Sequence, residues 1–338
     1  MNSYRKICNL FFILFLSLKT FSQNKNEVDT TYISTFPNKI IIKLNLDTRD
    51  DIFYINDESD NTILEIAENT NVKLNFSLNY DFIGFTFGFA PNFASNRDEH
   101  LKGDSSYRNY QFRFFFKKWL QQVRYHNIRG FYVVNSGDFI PNWQKDRDPY
   151  IQFPNLKIIQ WGGETSYIFN QNFSLRNLSD QTRLQRKSAG SFIVSLDYQY
   201  QRFSNRVENI KSVENAFDVK LQGGYYYTWV IRKHWFLSSY ISPLVGYRFL
   251  NFEEDVSENK KYYNDYILAG ADLGIQLGYN AENLFFGCSA TLDSLTYSED
   301  GGLSNITNNR GYAQVYVGYR FKEFKLLRKS LDWVKSQI

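Results

Sequence analysis

Hydrophobic and polar residues alternate along most of this chain. From Asn71 to Tyr80, the residues Val72, Leu74, Phe76, Leu78 and Tyr80 interleave with Asn71, Lys73, Asn75, Ser77 and Asn79. A period of two marks a strand with one apolar and one polar face. Ile83, Phe85, Phe87 and Phe89 repeat the pattern, as do Tyr110, Phe112, Phe114 and Phe116 around Arg113. So do Phe192 to Tyr200, where only Ile193 interrupts the polar face, and Phe217 to Tyr227. Ile267 to Tyr279 and Ala313 to Phe321 complete the series. The alternation predicts strands near 39–47, 71–80, 82–90, 106–117, 122–134, 157–169, 172–203, 215–230, 235–248, 264–279, 284–297 and 309–321. The segment 172–203 is too long for one strand and breaks at 179–190. A small hairpin is expected within 48–70, from Ile52 to Ile55 and from Ile63 to Ala67.

Two architectures share this code. A soluble sandwich packs its apolar faces together, whereas a membrane barrel turns them outward to lipid. Segment length favours the barrel, because soluble strands average about five or six residues and a tilted membrane strand needs roughly 9–11. Aromatics near segment ends (Tyr80, Phe203, Trp229, Trp235, Tyr247, Tyr279 and Phe321) suit interfacial girdles. Short links near Asp81 and at 118–121, 170–171, 231–234 and 280–283 alternate with long polar ones at 48–70, 91–105, 135–156, 204–214, 249–263 and 298–309. Short periplasmic turns and long outer loops alternate in this way in bacterial barrels. The expectation is an all-β, transmembrane, antiparallel up-and-down β-barrel of about twelve strands over 39–321, with both ends in the periplasm.

The flanks follow other patterns. Arg5 and Lys6 precede an apolar run from Ile7 to Leu18, and Thr20-Phe21-Ser22 stands before Gln23. This is the layout of a secretory signal peptide over 1–22, cut near Ser22. The run is too short for a membrane anchor. Residues 23–38 form a periplasmic N-terminal segment. After Phe321 the apolar period changes, with Phe324, Leu327, Leu331, Val334 and Ile338 among lysines and arginines. Residues 322–338 therefore read as a periplasmic amphipathic helix, lying on the membrane, packed on the barrel mouth, or offered to a periplasmic protein partner.

Composition adds little about activity. The 39 Lys and Arg nearly balance the 35 Asp and Glu, so nothing points to nucleic acid. Of two cysteines, only Cys288 lies beyond the signal segment, so no internal disulfide is expected. No nucleophile elbow, metalloprotease pair or phosphate loop occurs, and no cofactor or metal is expected. His126, beside Asn127 on the lumen parity, is the histidine that a hydrolase could use; Cys288 reads as an inert apolar residue. Two acidic loops, around Asp57 and around Glu254, have no calcium-ligand spacing.

The candidate chemistry lies in 176–191, which gathers Arg176, Asp180, Gln181, Arg183, Gln185, Arg186 and Lys187. Charge facing lipid costs roughly 2–4 kcal/mol at the midplane, so these groups must face the lumen or the periplasm. The segment is expected to fold into the barrel as a partial plug, paired with Glu164, Asp197, Asp218 and Asp272; Arg113 is a further lumen candidate. It either fills the interior as a satisfied polar network or binds and gates.

The stretch Phe173-Ser174-Leu175-Arg176, then Gln181, Arg183 and Gln185-Arg186-Lys187-Ser188-Ala189-Gly190-Ser191-Phe192, resembles the signature of an uncharacterised Bacteroidota family, a domain of unknown function read as an outer-membrane barrel. Tyr32-Ile33 through Phe36-Pro37-Asn38-Lys39 into Ile40 to Leu44, and Arg129-Gly130-Phe131-Tyr132, are similar to it as well. The resemblance implies the outer membrane and a barrel, and it carries no activity. The expected function is passage or binding of a small solute, lipid or peptide through the lumen of a barrel that is not an enzyme. An accessory barrel for assembly or secretion, and a hydrolase of envelope lipid, are the alternatives.

Overall fold

Each barrel strand pairs with its neighbours in the chain, and the last returns to the first. In this computed structural model the described residues are 29–48, 52–57, 62–70, 72–91, 99–207, 210–254, 261–299 and 304–323. The expected signal segment 1–22 and the tail from 324 onward lie outside them, so the expected C-terminal helix does too. The strands are β1 (Ile33–Thr35), β2 (Lys39–Asp47), β3 (Ile52–Asp57), β4 (Thr62–Ala67), β5 (Lys73–Tyr80), β6 (Ile83–Phe89), β7 (Ser106–Phe116) and β8 (Trp119–Val133). They continue as β9 (Gln152–Ile168), β10 (Arg183–Gln185), β11 (Ala189–Val207), β12 (Ile210–Arg232), β13 (Trp235–Glu254), β14 (Lys261–Asn280), β15 (Leu284–Glu299) and β16 (Ser304–Lys322). Among the described residues two short α-helices, α1 (Glu99–Lys102) and α2 (Arg176–Ser179), lie in connections. Twelve strands, β2, β5 to β9 and β11 to β16, form a closed antiparallel barrel; β8 pairs with β9, and β16 with β2.

The strand faces are sorted as the alternation predicts for a membrane barrel. Lys43, Lys73, Asn75, Asn79, Arg113, Asp197, Asp218 and Arg320 are buried, while Leu44, Phe76, Leu196, Phe217, Ile241, Ile275, Leu292 and Val317 are exposed. A water-soluble protein has the opposite arrangement. The outward apolar faces touch acyl chains, and closure leaves no unpaired edge in lipid. Aromatic contacts cluster at both ends of the apolar band. At the short-turn end Trp119 meets Tyr167 (4.8 Å) and Trp235 meets Tyr279 (5.3 Å). At the other end Tyr110, Tyr125 and Trp161 follow one another across β7, β8 and β9.

Three expectations change, and the small hairpin forms as expected. The link between β9 and β11 is not the two residues 170–171 but the whole of 169–188, because its buried polar groups find partners inside the barrel. The regions 204–214, 249–263 and 298–309 are mostly continued ladder. Pairing runs to Val207 and Ile210, to Glu253 and Lys261, and to Glu299 and Ser304. The hairpin in 48–70 forms as β3 and β4, and its β4 end pairs with β8 through Ile66 and Val133. Finally, Phe203 is no girdle residue: it turns inward, with its ring 5.6 Å from that of Phe53.

The β8–β9 register shifts between Arg129 and Phe131, three residues of β9 lying opposite Gly130, which has φ of +82°. A Cβ there would lie 2.0 Å from the carbonyl oxygen of Asp104. Gly130→Ala is expected to cost roughly 1–3 kcal/mol through the backbone conformation and this clash, seen as a lower urea midpoint.

Candidate functional site

The N-terminal segment and the 169–188 link meet inside the short-turn end of the barrel. There β1 and β10 pair antiparallel, Ile33 opposite Gln185 and Thr35 opposite Arg183. Apolar contacts seat the piece: Phe173 packs on Ile168, Ala189 and Ile193, with Leu175, Leu178 and Tyr226 around them. This explains Ile193, the apolar residue on a polar face. It touches the plug rather than water.

Polar bonds hold the plug to the wall. Lys43 of β2 donates to the Ser179 carbonyl (2.8 Å) and to Gln181 Oε1 (2.9 Å). Arg320 of β16 donates to the carbonyls of Gln181 and Ala281 (both 2.5 Å) and to Asn280. Its guanidinium lies between Phe36 and Phe285, at 3.9 and 4.6 Å from the ring centres. Asn280 Nδ2 donates to Asn177 Oδ1 (2.8 Å) and to the Arg183 carbonyl (3.0 Å). Gln181 has φ of +53°, a left-handed conformation unusual for a non-glycine residue, and is clamped there by Lys43 and Arg320.

The residues expected to carry chemistry divide by role. Arg176 donates to Thr182 Oγ1 (2.6 Å) and to the Asp81 carbonyl, with its guanidinium over Phe115. Asp180 accepts from the Thr182 hydroxyl (2.6 Å) and lies 3.8 Å from Arg176. Gln185 is an internal tie: its amide donates to the carbonyls of Asn172 (2.7 Å) and Lys187 (2.9 Å), and its oxygen accepts the Ser174 N–H (2.8 Å). Burial, then the neighbouring Arg176, lower the pKa of Arg183. Arg186 is exposed and reaches the Thr30 carbonyl, and Lys187 sits over the Tyr32 ring. The expected pairing of these cations with Glu164, Asp197, Asp218 and Asp272 is not the arrangement found. Those acids lie on the wall and have wall partners. Asp197 pairs with Arg124 and Lys220, Asp218 with Arg248 (2.7 Å), Asp272 accepts from Gln222 (2.6 Å), and Glu164 accepts from Ser166 (2.5 Å). Cross-strand partners are nearer than the plug. Arg113 is buried and donates to Thr86 (3.0 Å). His126 faces the lumen with its ring 6.2 Å from that of Tyr107. Cys288 is a free, exposed thiol on the lipid face. The two acidic loop groups fall outside the described side chains.

The clamp residues Lys43, Arg320, Asn177 and Asn280 were missed. For Arg320 a signal existed: a charge on the polar parity at the short-turn end of a strand has to find a lumen partner.

At the opposite end the β3–β4 hairpin folds over part of the mouth. Ile66, Tyr107, Ile128, Phe131, Val133, Leu156 and Ile158 form a dry cluster there, joined by Phe53, Phe139 and Phe203. Lys73 and Glu68 make an ion pair with no solvent exposure, and the Lys73 ammonium lies 4.4 Å from the Tyr107 ring centre. This pair pins the hairpin's base to β5. Lys73→Met is expected to cost about 3–5 kcal/mol by stranding Glu68, and limited proteolysis should then cut at the hairpin first. In the neighbouring loop Tyr150 donates to Asp146 (2.9 Å); burial and this acceptor push the phenol up to about 12.

Between plug and hairpin lies a cavity of about 630 Å³. Leu175, Leu178 and Ser179 of the plug form its floor; Phe53 and Tyr54 of the hairpin reach its other side. The wall carries both charges, Arg124, Lys220 and Arg248 beside Asp197, Asp218 and Asp272. Such a chamber can hold a small polar molecule by hydrogen bonds without a net field for one sign of charge.

A closed barrel with a polar interior, an apolar exterior and a folded-in plug is an outer-membrane-type β-barrel. The chain belongs to the family described as a domain of unknown function, DUF4421, whose model matches residues 27–321. No curated protein matches it. Among solved structures it is similar to OmpT, an outer membrane protein of Vibrio cholerae, at 9% identity over 86% of this chain and 97% of that one, with a TM-score of 0.33. The outer membrane protease OmpT from Escherichia coli matches at 8% identity over 85% and 98%, TM-score 0.33. The toluene transporter TodX of Pseudomonas putida matches at 12% identity over 85% and 91%, TM-score 0.30. At these values none of them brings a function to this chain.

Proposed function

We propose that this protein lies in the outer membrane, exported by its signal segment, and takes a small polar solute into the lumen chamber, releasing it toward the periplasm when the plug yields. The observation that carries this reading is the chamber of about 630 Å³ between a plug and a mouth hairpin. That volume falls within the roughly 300–1,000 Å³ of small-molecule sites. A barrel serving only as scaffold gains nothing from such a void, since unfilled interior forfeits packing contacts. The wall's acids already have partners, so a neutral hydroxylated or zwitterionic solute suits it better than an ion of one sign.

Proteoliposome swelling tests the proposal. The native protein, whose plug yields only occasionally, should admit small sugars or amino acids slowly but faster than empty liposomes do, and Gln160→Trp, which fills the chamber from β9, should abolish the difference. Swelling equal to that of empty liposomes, in the native protein and in a variant with its plug released, would rule the reading out.

A further inference from the structure

The cations on the outside of the barrel are unevenly placed. On β7, β8, β9 and β11 the outward positions beyond the aromatic row hold Arg108, Arg129, Lys157 and Arg202. The row itself is Tyr110, Tyr125, Trp161 and Tyr200, facing one another across the ladder, and Trp161 is 54% exposed. Arg108 and Arg202 stand two residues beyond it on their strands, and Arg129 and Lys157 four. Arg108, Arg129 and Arg202 are exposed, and Lys157 is half-exposed.

No carboxylate occupies an outward position on these four strands; their acids, Glu164 and Asp197, point into the lumen. Among the described residues, none of the four cations has a salt bridge. Arg129 makes only long bonds, to the Pro154 carbonyl (3.3 Å) and to Asn155 (3.4 Å). Arg129 and Lys157 are also direct cross-strand partners. Like charges directly opposite each other destabilise a sheet. An anion lying between them removes that repulsion.

We propose that this outward arc binds the phosphorylated, anionic headgroups of membrane lipid at the long-loop surface. The inference rests on the membrane reading of the exterior and names a lipid class for it. The aromatic row marks the depth at which ring edges meet headgroups. Cations just beyond that depth meet lipid phosphates, and three of the four are arginines, whose planar fork takes two phosphate oxygens at once. Four adjacent strands give an arc of about 14 Å, wide enough for two phosphates side by side. Acyl chains of the same lipid then lie on the apolar face below, so the head and the tails are held together. An acidic protein would gain no such second contact.

Trp161 reports on the site. The full-length protein is placed in phosphatidylcholine vesicles containing a fixed fraction of brominated lipid, and quenching is compared with that of a Trp161→Phe variant. Brominated phosphatidylglycerol should quench Trp161 several-fold more than brominated phosphatidylcholine. The preference should vanish, the two lipids quenching alike, when Arg108, Arg129, Lys157 and Arg202 are all changed to Gln, each cation near an anionic surface being worth about fivefold. It should also fade at 1 M salt, where screening reaches only about 3 Å. Equal quenching by the two lipids, or a preference that survives in the Gln variant, overturns the inference. No quenching by either lipid refutes the membrane reading itself. Strand circular dichroism of the Gln variant confirms that it is folded.

Discussion

Arg320→Ala combined with Lys43→Ala should turn the barrel from a closed to a conducting one in a planar bilayer. Arg320 is 1% exposed, and its guanidinium is the main clamp on the plug, holding the carbonyls of Gln181 and Ala281 and the Asn280 side chain. Lys43 holds two more oxygens, on Ser179 and Gln181. A buried acceptor left without its donor costs roughly 1–3 kcal/mol, more when the donor was charged. Three of the five orphaned acceptors, the Ser179 and Gln181 carbonyls and Gln181 Oε1, lie on the plug, enough to outweigh the few kcal/mol that hold a local element in place. Gln181 would also lose the partners that keep it left-handed. The wall should survive, because its ladder is made by backbone groups that neither substitution touches. Stepwise ion conductance in the double variant, beside little in the native protein, is the expected record. A folded variant that stays silent would show that the plug is held by its apolar seat on Phe173 and Ile193, not by these charges.

Leu221→Lys should cost roughly 2–4 kcal/mol of stability in vesicles, whereas Gln222→Lys, the next residue, should cost little. Leu221 lies midway along β12, 53% exposed on the outer face. An ammonium there has no water and no partner. Gln222 points the other way and donates to Asp272 at 2.6 Å, so a lysine in its place exchanges a neutral donor to that carboxylate for a charged one. Urea unfolding from vesicles measures both. Equal costs at the two positions would mean that the outward face is not in lipid.

The barrel was legible because a membrane gives every strand the same two environments. Each crossing passes one slab, so the alternation of Asn71 to Tyr80 returns strand after strand. The count of twelve and the side of each turn follow from adding those crossings. The exceptions were legible only as exceptions. Ile193 and Phe203 break the parity rule, and period two alone offers no cause. Ile193 meets the plug, and Phe203 meets the hairpin's Phe53. The interruption at 179–190 was visible as a failed strand, and its charges argued for the interior. Its partners were not visible.

Those partners depend on groups far apart in the chain. Arg320 holds the Gln181 carbonyl from 139 residues away, and Asn280 holds the Arg183 carbonyl from 97. Periodicity reports the medium on each side of a strand, which is a one-dimensional property. That is why amino-acid order alone determined the sheet, its facing and its closure. Which cation clamps which carbonyl depends on the distance across the lumen, set by strand number and stagger after closure. Only the tertiary structure decided that the link at 169–188 fills one end of the barrel while a chamber remains beside it.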